Sequence, residues 1–453
     1  MSLIDSSIFH LGLKKILNKI LLVVFSVVLI VLPFTSCSKE NVASKNSSNQ
    51  SVVVYDEANL FKRDGYKLKE VVILSRHNIR SPLANKNATI ARLTPHSWFN
   101  WSSKPSDLSL RGGTLETTFG QYFRKCLEEV KFFDENIEPS LDEVRIYSNS
   151  KQRTIATANY FLTGLFPISN MDVEHHMPFD EMDPVFNPVL TDIDEEFVSN
   201  AGKQIQEMFK STVDNLEDNY RLIENVIDVK DSVDYKEKKF EKFRTDDLNV
   251  IFAENSEPAL TGSLKTALQI SDALVLQYYE GDEKEEAFGK KLTRKEWEDI
   301  AEVKDVYEEV LFSAPLVAYN VANPLLKEIL KELQNDRRKL TFLCGHDSNL
   351  VSVLSALQAE DYKLDYAIEK KTPIGSKVVF SKWEDEDGKM YISIDYVYQT
   401  VEQLKYISLL NTDNPPAIFP IKLKGITRNK KGLYTFDDIL ERFKFAISMK
   451  NVM

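Results

Sequence analysis

The chain alternates short, continuously apolar runs with longer stretches of helical spacing. Val71-Val72-Ile73-Leu74 is apolar at every position and stops at Ser75-Arg76-His77, the pattern of a strand buried on both faces. Between Leu115 and Val130, the positions Leu115, Phe119, Tyr122, Phe123 and Leu127 share one side of a helix. Val144-Arg145-Ile146-Tyr147 predicts a second strand and Gln152 to Leu162 the helix after it. Leu340 to Cys344 predicts a third strand, followed by a helix carrying Leu350, Val353, Leu354 and Leu357. Lys377 to Trp383 and Met390 to Tyr398 alternate apolar and polar positions around Asp387-Gly388, a hairpin signal. Strands alternating with helices argue for an α/β domain whose mainly parallel sheet is flanked by helices.

The stretch from 191 to 335 reads differently. Its long charged segments, Glu195 to Leu222 and Arg294 to Leu311, have few β-branched runs. They predict an inserted α-helical lobe, leaving 66–190 and 336–453 as the α/β domain.

The N-terminus reads as an address rather than as structure. Lys14, Lys15 and Lys19 precede the apolar run Ile20 to Leu32, broken only by Ser26. Thirteen helical residues rise about 20 Å, short of the ~30 Å hydrocarbon core, so the run suits a secretory h-region better than a membrane span. Phe34-Thr35-Ser36-Cys37 is similar to a bacterial lipoprotein processing site. On this reading residues 1–36 are a signal peptide and Cys37 carries lipid. Residues 37–65 form a tether, rich in Ser, Asn and Lys from Ser38 to Ser51. The protein is then exported to the periplasm or cell envelope and anchored to a membrane.

Composition removes several classes. With 43% hydrophobic residues the chain can build a core, and a net charge of −12 gives nucleic acid no surface to bind. Three cysteines make no disulfide framework, and no Cys/His cluster suggests a metal. His175-His176 point different ways on a strand and make a poor metal pair. No HExxH, GxSxG or Walker sequence is present. Neither a metal nor another cofactor is expected.

The chemistry gathers at strand ends. Arg76-His77-Asn78-Ile79-Arg80-Ser81-Pro82 puts two guanidinium groups around one imidazole within five residues. Such a gathering of cations calls for an anion, and the guanidinium fork matches phosphate oxygens. A histidine between arginines is also biased toward its neutral, nucleophilic form. Gly345-His346-Asp347 follows the third strand, and Arg153 opens the helix after the second. All three segments fall at carboxyl ends of strands, where open α/β sheets bind ligands.

Taken together, these motifs resemble the histidine acid phosphatases, and within them the branch of bacterial periplasmic glucose-1-phosphatases. The likeness also takes in Gly112-Gly113, Asn149 to Thr157, Met182-Asp183-Pro184-Val185-Phe186-Asn187-Pro188, Thr372-Pro373-Ile374-Gly375 and Tyr396-Val397-Tyr398-Gln399. The resemblance implies a phosphoglycerate-mutase-like fold and hydrolysis of phosphate monoesters, glucose 1-phosphate or related sugar phosphates, through a phosphohistidine. It implies that His77 is the nucleophile and that Arg76, Arg80, Arg153 and His346 hold the phosphoryl oxygens. Asp347 would protonate the leaving group, and Glu257, before Pro258, would contact the sugar. A phytase acting on inositol polyphosphates is the near rival; a non-catalytic surface lipoprotein binding phosphorylated ligands is the distant one. The partner is a small phosphate ester, and the sequence leaves a homodimer open.

Overall fold

A computed structural model describes residues 59–83, 89–135, 138–282 and 284–450. The expected signal peptide, Cys37 and most of the expected tether lie outside these residues. Among the described residues the strands are β1 (Tyr66–Arg76), β2 (Val144–Ser148), β3 (Asn249–Ile251), β4 (Ala259–Thr261), β5 (Leu340–Gly345), β6 (Lys377–Asp385), β7 (Met390–Tyr398), β8 (Ala417–Pro420) and β9 (Tyr434–Thr435).

Seven strands make one sheet in the order β2-β5-β1-β6-β7-β8, with β9 against β7. β2, β5 and β1 run parallel. From β6 outward the pairing is antiparallel. The sheet is therefore mixed, and the parallel part carries the site. Val71, Val72, Ile73 and Leu74 are all fully buried, because helices cover both faces. On one face, Leu110–Glu129 packs against Gln152–Leu165 at Gly120 and Gly164. A Cβ at Gly120 would lie 2.2 Å from the Phe161 carbonyl oxygen, so only glycine permits this approach. The opposite face is covered by Asn323–Leu333, Asp347–Ala356 and Phe436–Met449.

Between β2 and β5 in sequence lie the helices Glu195–Asp214, Glu217–Val226, Ser263–Glu280 and Arg294–Phe312, around a core that includes Phe197, Ile205, Leu274 and Trp297 and continues into Ile79, Leu115 and Val351 of the α/β domain. Asp194 caps the first, and Thr293 with Glu296 forms a capping box on the last.

Three features differ from expectation. Leu60 and Phe61 are buried against Phe123, and Asn59 Nδ2 donates to the Cys126 carbonyl, so the packed body starts before residue 65. Asn323–Leu333, expected in the lobe, packs under the sheet through Leu325, Leu326 and Ile329, as the crossover into a parallel strand requires. The helical segment also holds the hairpin β3–β4, too short to show as an alternating run.

Candidate active site

Because β2, β5 and β1 are neighbours and parallel, their carboxyl ends open at one place. The three chemistry-bearing segments meet there. The His77 N–H donates to the Gly345 carbonyl at 3.1 Å, stitching the β1 end to the β5 end. The Asn149 N–H donates to the Cys344 carbonyl at 2.9 Å, doing the same for the β2 end. They face a cleft of about 740 Å³, walled on its far side by Ser263–Glu280 and Arg294–Phe312.

His77 is 3% exposed. Its Nδ1 lies 2.9 Å from the Asn78 carbonyl oxygen, which can only accept. The ring proton therefore sits on Nδ1, and the Nε2 lone pair is available to the cleft. Burial, then Arg153, Arg80, His346 and Arg76, hold the His77 imidazole well below its usual range. It is neutral by construction.

His346 is fixed by Asn149. The Asn149 Oδ1 accepts from the N–H groups of Ser150 at 2.8 Å and Asp183 at 2.9 Å, so its Nδ2 faces the imidazole. That Nδ2 donates to His346 Nε2 at 2.7 Å. The proton of the neutral ring is then on Nδ1, beside Arg153 Nη2 at 3.4 Å. Two donors thus sit side by side, where one anionic oxygen in the cleft could accept from both. Burial and then Arg153 push the His346 imidazole down as well.

The arginines are held from behind. Arg76 Nη1 donates to Glu369 Oε1 at 2.8 Å and also to the Thr372 carbonyl. Arg80 Nη2 donates to Asp272 Oδ2 at 3.1 Å. Arg153 Nη1 donates to Ser106 Oγ at 3.1 Å, and burial followed by Arg80 lowers its guanidinium to about 10. A guanidinium lowered by a neighbouring cation marks a place suited to an anion.

Asp347 opens its helix, with Oδ2 2.8 Å from Lys304 Nζ and 3.4 Å from Arg76 Nη2. Burial would push this carboxyl up, but Lys304 and then Arg76 more than offset it and hold it well below the usual carboxylate range. In the ligand-free site Asp347 is ionised. Nearby Glu308, one turn beyond Lys304, is pushed up to about 8 by burial and then by Asp347. Glu257 lines the cleft too, its carboxyl raised by desolvation although the residue is exposed overall.

The site thus gathers every described residue singled out from the sequence. Lys304, Glu308, Asp272, Glu369 and Asn149 were not singled out. Only Asn149, inside a quoted motif, carried any signal.

A neutral imidazole facing three guanidinium groups and an N–H donor is suited to accept a phosphoryl group. The sequence model of the histidine phosphatase superfamily (branch 2) matches residues 67–398, and the chain belongs to that superfamily. A glucose-1-phosphatase from Salmonella typhimurium is 38% identical over 387 residues, which cover 83% of this chain and 92% of the relative. A glucose-1-phosphatase from Providencia rettgeri is 35% identical over 378 residues, 82% of this chain and 90% of the relative. The phytase from Citrobacter braakii superposes with a TM-score of 0.75 at 26% identity, over 85% of this chain and 97% of that one.

Proposed function

We propose that this phosphoric monoester hydrolase acts on sugar phosphates, glucose 1-phosphate foremost, through a phosphohistidine on His77. The observation that carries the reading is the buried His77 ring with its Nε2 lone pair facing Arg80, Arg153 and the His346 Nδ1–H. The phosphoryl group sits between those donors and Arg76. Nε2 attacks in line, and the fixed cations stabilise charge on the three equatorial oxygens. Asp347 protonates the leaving oxygen. Arrival of the phosphate dianion offsets the field of Arg76 and Lys304 and raises the Asp347 carboxyl toward its protonated form. Water then attacks the phosphohistidine, with Asp347 taking its proton.

The substrate class follows from the outer cleft. Asp180 and Glu257 line it against Lys151 and Lys265. That balance suits a neutral polyol carrying one phosphate. A polyphosphate would need more cations, so the phytase reading comes second. The similarity to glucose-1-phosphatases supports the same choice, with Glu257 as the sugar contact. The basic, apolar and small-residue sequence before Cys37 supports export and lipid anchoring. Turnover of glucose 1-phosphate, p-nitrophenyl phosphate and inositol hexakisphosphate across pH tests the proposal. Preference for the inositol ester would overturn the substrate assignment.

A further inference from the structure

Lys304 brings a further cation to the cleft, beside Asp347. It lies on Arg294–Phe312, far from the strand ends in sequence, and its side chain is 2% exposed. Its Nζ donates to Asp347 Oδ2 at 2.8 Å, while the other oxygen, Oδ1, accepts from the Ser348 N–H at 3.1 Å. The carboxyl group is therefore gripped at both oxygens. A buried ammonium group carries a desolvation cost that an apolar residue at this helix position would avoid. Burial alone would lower the Lys304 ammonium, yet Asp347, Glu308 and Glu369 outweigh it, against opposition from Arg76.

We propose that Lys304 is a positioning residue for leaving-group protonation: it aims the Asp347 carboxyl at the ester oxygen and sets the pH at which that carboxyl gains its proton. This inference rests on the reading of Asp347 as proton donor. As the His77 Nε2–phosphorus bond forms, the ester P–O bond breaks with its electron pair on the leaving oxygen. The Asp347 proton moves to that oxygen, and the resulting carboxylate is stabilised at once by Lys304. In the second half, water loses a proton to Asp347, its oxygen bonds to phosphorus, and the P–N pair returns to His77. An adjacent cation makes Asp347 the stronger acid when the proton must leave.

The other groups that face this pair are placed on several elements. Arg76 and His77 come from the end of β1, Arg153 from the helix after β2, His346 from the end of β5, Glu257 from the segment before β4, Tyr307 from the helix of Lys304 itself, and Glu369 from the loop before β6. Glu308 lies on the same helix as Lys304, its Oε1 4.0 Å from Nζ, and Asp305 adjoins it. Asp272 faces from Ser263–Glu280. None of the acids but Asp347 is within hydrogen-bonding distance of Nζ among the described residues.

The test compares Lys304→Met, Lys304→Gln and Lys304→Arg with Asp347→Asn, measuring kcat and KM on glucose 1-phosphate and p-nitrophenyl phosphate across pH. Loss of the charge should lower kcat on the sugar ester about tenfold more than on the aryl ester, with KM little changed. The alkaline limb should move up by about one pH unit, since a carboxyl without its cation holds a proton to higher pH. Lys304→Arg should restore most of both effects. Lys304→Gln keeps a donor without the charge and reads the limb if the Met variant does not fold. Equal losses on both esters with an unmoved limb, while Asp347→Asn still separates them, would overturn the role of Lys304 alone. If Asp347→Asn does not separate the esters either, the proton-donor reading falls and takes this inference with it.

Discussion

Asn149 donates from Nδ2 to His346 Nε2 at 2.7 Å, and this one bond decides where the imidazole proton points. With Nε2 occupied as an acceptor, Nδ1–H joins Arg153 in facing the cleft. Asn149→Leu should leave the His346 tautomer free and weaken hold on the phosphoryl group. We expect a loss of about tenfold or more in kcat/KM on every ester, aryl phosphates included, because the phosphoryl group is common to all. Steady-state kinetics with two leaving groups checks this, and a loss confined to sugar esters would contradict it.

The Asp347 assignment predicts a different signature. Asp347→Asn should reduce hydrolysis of glucose 1-phosphate by about 10²- to 10⁴-fold and spare phosphorylation by p-nitrophenyl phosphate, whose phenolate leaves unaided. Equal losses on the two, with inhibitor binding intact, would make Asp347 a positioning residue.

The pH profile has two limbs with separate causes. His77 must be neutral to attack, and burial together with Arg153 holds its imidazole well below the usual value. Activity should therefore persist well below about pH 6.5, where an ordinary histidine is half protonated. Asp347 must carry a proton in the substrate complex, so activity should fall as pH rises past that group's value there. Arg153→Met removes the leading charge on His77 and should move the acidic limb upward, because the imidazole then protonates more easily. An acidic limb that stays put, or moves down, counts against a titrating His77.

Beneath the site, Lys377 Nζ and Glu116 Oε1 pair at 2.7 Å with both side chains fully buried. Asn78 Nδ2 donates to the same carboxylate at 2.9 Å, which ties the pair to the segment carrying His77. Lys377→Met leaves Glu116 without its cation and should cost about 3–5 kcal/mol in denaturant unfolding. Adding Glu116→Gln should recover part of that loss, since no uncompensated charge remains.

Cys37→Ser tests the anchor. The variant should leave the membrane fraction or remain unprocessed; normal maturation and fractionation with membranes would contradict lipidation at Cys37.

The strand ends were legible in sequence because buried parallel strands announce themselves as unbroken apolar runs, and a polar cluster after each run has one place to go. Arg76, His77, Arg80, Arg153, His346 and Asp347 were found that way. Lys304 and Glu308 were not. Spaced one turn apart in a charged helix, they look like a solvated pair, and only packing of Arg294–Phe312 over the cleft buries them. Leu60 and Phe61 were lost in a polar stretch too short to show periodicity. The pairing of β6 against β1 could not be read either, since an alternating run does not state its partner's direction.

The most direct test of the account is the phosphoenzyme itself. Rapid quenching under alkaline conditions during turnover, followed by peptide mass spectrometry, should find phosphate on His77, stable to alkali and lost in acid. His77→Ala should show neither label nor turnover, and Asp347→Asn should still be labelled by p-nitrophenyl phosphate. Turnover by His77→Ala, or a labelled residue other than His77, would contradict the nucleophile on which the mechanism rests.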